Sequence, residues 1–142
     1  MKNLILIAAA ALLMWTAAAQ ETKSFLVTLN IEGISTGGGA VYGAVFNSNE
    51  TYKKQEALQS FMINDTRTES ELEIMLPAGE YVVSVYQDSN GDGKLNTNFL
   101  GIPKEPVGIS GYEGKGIPGG FDKLKTTVNS DGIRLNIPLS KI

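Results

Sequence analysis

The chain contains no cysteine and no histidine, and its single tryptophan, Trp15, lies in an apolar run near the N-terminus. Without cysteine there is no disulfide, no thiol nucleophile and no thiol for a lipid anchor. Without histidine the Ser-His-Asp and Cys-His catalysts are excluded. Nearly all zinc sites go with them, because they draw on imidazole or thiolate. Positive charge is also short: 12 basic against 15 acidic residues give a net charge of −3. Lysine and arginine contacts to phosphate supply most nucleic-acid affinity, so no nucleic-acid partner is expected. Beyond residue 19 no apolar run approaches the ~20 residues that span a bilayer, so no membrane span is expected in the mature chain.

Residues 1–19 have the form of a cleavable leader. Lys2 supplies the positive start, Leu4 to Trp15 the apolar middle, and Ala17-Ala18-Ala19 the small-x-small cleavage site, with Gln20 as the first mature residue. The pattern predicts export, to the periplasm or outside the cell, and leaves residues 20–142 as one domain. That domain must be held by core packing, with a metal ion as a second candidate. Its composition, 42 % hydrophobic and 19 % charged with 16 glycines, is that of a globular chain richer in strand than in helix. Asn49-Glu50-Thr51 and Asn64-Asp65-Thr66 are formal glycosylation sequons of little weight.

Period-two alternation marks the strands. Phe25, Val27, Leu29 and Ile31 give the first a clean core face, and Ala40 to Phe46, apolar on both faces, reads as a buried second. Tyr52 to Leu58 is read as one or two helical turns and Phe61 to Ile63 as a short strand. In the next strand Leu72, Ile74 and Leu76 face inward, while Glu69, Glu71 and Glu73 form a solvated face. Pro77 and Gly79 turn the chain into Tyr81 to Gln87. Leu124 to Val128 and Ile133 to Leu139 follow, joined by Asn129-Ser130-Asp131-Gly132, a hairpin signal. Pro138 cannot donate to a ladder, which places the last strand at an edge. Seven short strands predict an all-β, Ig-like or transthyretin-like sandwich with one long loop at 88–120. The Gly79-x-Tyr81 pair is similar to the tyrosine corner of such sandwiches. Phe99, Leu100, Ile102, Val107, Ile109, Tyr112 and Ile117 predict that the long loop folds back on the sandwich.

The loop opens with Asp88-Ser89-Asn90-Gly91-Asp92-Gly93-Lys94-Leu95-Asn96. Oxygen side chains at loop positions 1, 3 and 5 and glycine at 6 match the opening of a calcium loop, where alternate oxygens converge on one hard cation. Asp88, Asn90 and Asp92, the Lys94 carbonyl and Asn96 are the candidate ligands, with Leu95 as an anchor in the core. The twelfth position is Phe99 instead of the bidentate Glu, so a closing carboxylate must come from Glu105, Glu113 or Asp122. The competing reading is a hydrogen-bonded polar turn, since Asn-Gly and Asp-Gly are strong turn dipeptides.

Two other motifs fail on inspection. Gly108-Ile109-Ser110-Gly111-Tyr112 approaches a nucleophile elbow but lacks its last glycine and any histidine base. Gly114 to Gly119 matches G-x-G-x-x-G but follows no strand and opens no helix.

The run Leu76-Pro77-x-Gly79-Glu80-Tyr81, the Asp88-x-Asn90-Gly91-x-Gly93-Lys94-Leu95 loop, Leu100-Gly101-Ile102-Pro103-Lys104-Glu105 and Gly108-x-Ser110 resemble a bacterial family known as domain of unknown function 2141. The resemblance covers residues 25 to 140. Gln87 stands where that family often has His, and Asn96 where it often has Asp, which removes a charge from the loop. The resemblance implies an exported domain with no established activity. The Leu-Pro-x-Gly-x-Tyr run is also similar to that of transthyretin-like and collagen-adhesin B-type sandwiches, which are mostly structural or binding modules. The expected function is therefore a non-catalytic binding or structural module that recognises an extracytoplasmic protein or glycan. The alternative is a carboxylate-dependent hydrolase acting on glycans.

Overall fold

A computed structural model describes residues 21–64 and 67–142. The expected leader lies outside these residues, as do two positions of the Asn64 sequon. The described chain forms eight strands and two short helices: β1 (Ser24–Glu32), β2 (Val41–Phe46), α1 (Asn49–Lys54), β3 (Gln59–Ile63), β4 (Glu69–Pro77), β5 (Gly79–Gln87), β6 (Val107–Ile109), α2 (Phe121–Leu124), β7 (Thr126–Val128) and β8 (Ile133–Pro138). They build two sheets, one ordered β4-β1-β8 and one ordered β3-β2-β5-β6 with β7 also paired to β5. The architecture is a β-sandwich.

The alternation in β1 sets the packing. Phe25, Val27, Leu29 and Ile31 enter a core shared with Ile74 and Leu76 of β4, Leu135 and Ile137 of β8, and Val41, Val45, Val83 and Val85 of the facing sheet. Each such aliphatic side chain contributes about 1.5–3 kcal/mol by leaving water. Gly43 sits in this core because the ring of Phe61 lies over it; an added Cβ would stand 2.0 Å from that ring. The turn before β5 is locked by Tyr81, 4 % exposed, whose hydroxyl donates to the Pro77 carbonyl at 2.9 Å. The tyrosine corner is thus present.

The outer face of the larger sheet carries a second, smaller core. Phe46, Val82 and Ile109 point away from the main core and are covered by Phe121 and Leu124 of α2 and by Tyr52 of α1. Helix α1 starts three residues earlier than its sequence reading because Ser48 caps it: the Ser48 hydroxyl accepts from Thr51 N–H at 3.1 Å, and the Thr51 hydroxyl accepts from Ser48 N–H at 3.2 Å.

Three expectations need correction. The 88–120 segment is not one loop, since Val107–Ile109 pairs with β5. Leu124 ends helix α2 instead of opening a strand, because its side chain is buried with Phe121 in the outer core. Residues 129–132 do not close a hairpin. β7 pairs with β5, whereas β8 runs parallel to β1 from Val27↔Ile133 to Glu32↔Pro138, so the turn crosses between sheets. The local chemistry was a turn, with Gly132 at φ +83°, but a turn dipeptide does not say which sheet the next strand joins. β8 does lie at an edge, as Pro138 requires. Val107 and Ser140 exchange backbone hydrogen bonds at 2.9 Å in both directions and so stitch β6 to the end of the chain.

Candidate functional site

β5 ends at Gln87, and its exit is fixed on both sides. The buried Gln87 amide accepts from Ser35 N–H at 2.9 Å and donates to the carbonyls of Ser35 at 2.9 Å and Gly39 at 3.1 Å. Asp88 N–H then donates to the Ala40 carbonyl at 2.8 Å. Gly39 permits this approach: at φ +92° its missing Cβ would lie 1.9 Å from the Asp88 carbonyl oxygen.

The Asp88 side chain is 3 % exposed and organises the turn. Its Oδ1 accepts from Gly91 and Asp92 N–H at 3.0 and 3.2 Å, and its Oδ2 accepts from Gly93 N–H at 2.7 Å. Asp92 Oδ1 accepts from Lys94 N–H at 2.9 Å, and Asp92 Oδ2 accepts from the amides of Asn90 and Asn96 at 3.3 and 2.9 Å. The Asn90 amide also donates to Asn96 Oδ1 at 3.1 Å. The side chains at loop positions 3, 5 and 9 therefore meet at one point above the buried Asp88.

Glu105 reaches the loop from 16 residues beyond Ser89. It is 4 % exposed, and its two carboxylate oxygens accept from Ser89 N–H at 2.9 Å and Asn96 N–H at 3.0 Å. Of the three distant acids considered, it alone arrives; Asp122 pairs with Lys125 at 3.3 Å, and Glu113 is exposed on another loop. Its role, a brace between the two ends of the turn, was not read from the sequence, and no local pattern encodes it. Residues 96–104 form a small hairpin beyond it, with Lys104 N–H on the Asn96 carbonyl at 2.8 Å and Asn98 N–H on the Ile102 carbonyl at 2.9 Å.

The electrostatics follow from this geometry. The Asp92 carboxyl is held below its ordinary range, first by the Asn96 amide and then by Lys94 N–H and the Asn90 amide. The Tyr86 phenol is pushed up by burial and then by the carboxylate of Asp88, with Tyr42, Glu105 and Asp92 adding to it. Its hydroxyl donates to the Gly93 carbonyl at 3.2 Å. Among the described residues no three His, Cys, Asp or Glu side chains form a group that could hold a metal by themselves, so any cation here would rely on amide and carbonyl oxygens as well.

Leu95 does not anchor the loop in the core. It is 41 % exposed and lies over the outer face of the larger sheet beside Tyr86, because this loop leaves a strand instead of a helix. The long segment folds back only in part. Val107 and Ile109 are buried, while Phe99 is 95 %, Leu100 68 % and Ile117 92 % exposed. Leu100, Ile102, Pro103, Ile117, Pro118 and Ile142 line one apolar concavity of about 440 Å³. Ser110 is no nucleophile in reach of solvent: it is fully buried, and its Oγ accepts from Val83 N–H at 2.8 Å. Gly114 to Gly119 is loop, followed only by the four-residue α2. Among the described residues no helix is long and apolar enough to cross a membrane.

An all-β sandwich with a carboxylate-braced polar loop at the end of its central strand is the class that these features define. The chain belongs to the family described as an uncharacterized protein conserved in bacteria (DUF2141), whose model matches residues 29–135. No curated protein and no solved structure matches the chain.

Proposed function

We propose that the protein is an exported, non-catalytic binding or structural module. It acts in the periplasm or outside the cell and presents its 88–120 segment to an extracytoplasmic protein or glycan. The observation that carries this reading is a contrast within that segment. Its base is pinned by two buried carboxylates, Asp88 and Glu105, while its tips hold Phe99 and Ile117 almost wholly in solvent. Leu100, Ile102 and Ile117 share one apolar concavity, and contiguous exposed apolar surface marks an interaction site. A rigid base lowers the entropy lost when such a surface is covered. Glycosidase chemistry needs two free acids ~5–9.5 Å apart, whereas both buried acids here are engaged by backbone N–H groups.

The same loop is proposed to hold calcium weakly through Asp88, Asn90, Asp92, the Lys94 carbonyl and Asn96. A carboxylate has about four acceptor sites, and Asp88 and Asp92 each use three. The Lys94 carbonyl accepts no hydrogen bond among the described residues. With few charges and no bidentate Glu, affinity belongs in the weak range of ~10⁻⁴ to 10⁻³ M. At about 1 mM calcium and a dissociation constant near 10⁻⁴ M, linkage adds roughly 1.4 kcal/mol, or about 4–8 °C in melting temperature. Identical melting curves in calcium and in EDTA would leave the loop as a hydrogen-bonded turn.

The binding role is tested by photo-crosslinking. A benzophenone side chain at position 99 should give discrete adducts in the extracytoplasmic fraction, and one at position 73, on the outer face of the smaller sheet, should not. Equal adducts at both positions, or none at 99, would remove the reading.

A further inference from the structure

We propose that the open half of the larger sheet's outer face is a binding cleft for a neutral saccharide. This site is separate from the loop tips Phe99 and Ile117, neither of which lines it. The helices α1 and α2 cover the outer face only around Phe46, Val82 and Ile109. The remainder is a cleft of about 280 Å³, walled by Tyr42 and Tyr86, by Gln55 at the end of α1 and by Leu95 from the polar loop. That size is close to the lower end for small-molecule sites, ~300 Å³.

The lining states the chemistry. It contains no charged side chain, although 19 % of the chain is charged, and the carboxylates that act on Tyr86 from behind the wall, Asp88, Glu105 and Asp92, oppose an anion without offering a cation a direct ion pair. Tyr42 and Tyr86 are cross-strand partners, and their rings stack at 5.4 Å and 18°. Stacking covers one face of each ring and leaves apolar ring surface toward the cleft, while the Tyr86 hydroxyl is held by the Gly93 carbonyl; an aromatic surface beside polar groups suits a ligand with one apolar face and polar edges.

The floor repeats that alternation. Ala44 pairs with Ser60 on one side and Ser84 on the other, which sets two hydroxyls two strand spacings apart, roughly 9–10 Å, across a methyl group. Neither serine hydroxyl has an intramolecular partner among the described residues. A pyranose ring offers C–H faces to the tyrosine wall and the Ala44 methyl, and equatorial hydroxyls to Ser60, Ser84 and the Gln55 amide. A purely apolar ligand would strand the serines, and a charged one would be desolvated without compensation.

The test is an NMR titration of the protein with cellotetraose, maltotetraose and mannotetraose, with tetragalacturonate as the charged comparison. At least one neutral tetrasaccharide should produce saturable shifts centred on Tyr42, Ser60 and Ser84, and the uronate should not. Tyr42→Ala should weaken binding by at least about tenfold, equivalent to about 1.4 kcal/mol. Ser84→Glu, at a half-buried position of β5, should abolish it while the amide spectrum of the main core stays that of the folded protein. The proposal is overturned if no neutral tetrasaccharide gives saturable shifts, if the shifts centre on Phe99 and Ile117, if the uronate binds equally, or if Ser84→Glu binds as well as wild type. Cleavage of a bound sugar during the titration would instead refute the non-catalytic reading while keeping the cleft.

Discussion

Removing the Glu105 carboxylate should loosen the polar loop and cost measurable stability. Its two oxygens hold Ser89 N–H and Asn96 N–H at 2.9 and 3.0 Å, and the side chain is 4 % exposed. Each hydrogen bond to a charged group contributes about 1.5–3 kcal/mol, so the pair contributes roughly 3–6. Glu105→Ala also relieves the cost of keeping a carboxylate out of water, which offsets part of the loss. The expected net effect is therefore about 2–4 kcal/mol of destabilisation. Glu105→Gln keeps the shape but can accept at only one end, and its NH₂ then faces a backbone N–H; about half the loss or more should remain. Urea denaturation measures the energy, and amide exchange at Ser89 and Asn96 locates it. If both variants unfold within about 0.5 kcal/mol of wild type and those two amides keep their protection, the brace is not what holds the loop.

Two further outcomes follow from the same region. Gly39→Ala should destabilise by about 2–4 kcal/mol, combining steric overpacking with the left-handed backbone penalty, because its Cβ would meet the Asp88 carbonyl oxygen at 1.9 Å; a neutral effect in a denaturation curve would contradict that contact. The Asp92 carboxyl should titrate below the ordinary value of about 3.9, since the Asn96 amide and Lys94 N–H favour its charged form. Loop order that depends on it is then complete above the ordinary value and lost as pH falls through the lowered one; an NMR midpoint at or above the ordinary value would oppose the described hydrogen bonds.

Much of the sandwich was legible because its strands are half-buried. In β1 and β4 the core residues alternate without a break, and the period alone finds them. β6 was not legible: Val107, Gly108 and Ile109 are all buried, three residues are too few for a period, and the segment lies among prolines and glycines. The parallel pairing of β8 with β1 joins residues about a hundred positions apart, a distance over which hydrophobic pattern carries no information. The turn at Asp88 to Asn96 was visible from its glycines and oxygen side chains. Its brace was narrowed only to Glu105, Glu113 or Asp122, because an acid far along the chain resembles any surface acid until the fold buries it against the loop, as it does Glu105. The tyrosine cleft left a faint trace: β2, apolar on both faces, was expected to be buried, whereas α1 and α2 cover its outer face only around Phe46.

The parallel placement of β8 beside β1 has a mechanical consequence. Tension applied between residue 21 and residue 142 pulls these neighbouring strands in opposite directions along their shared ladder. The pairs from Val27↔Ile133 to Glu32↔Pro138 are then loaded together in shear and cannot open one at a time as a zipper would. Single-molecule extension should show one abrupt rupture, and gradual peeling at low force would contradict this geometry. The mutual bonds between Val107 and Ser140 lie on the same load path, so a domain without a disulfide can still act as a clasp between whatever is tethered at its two ends.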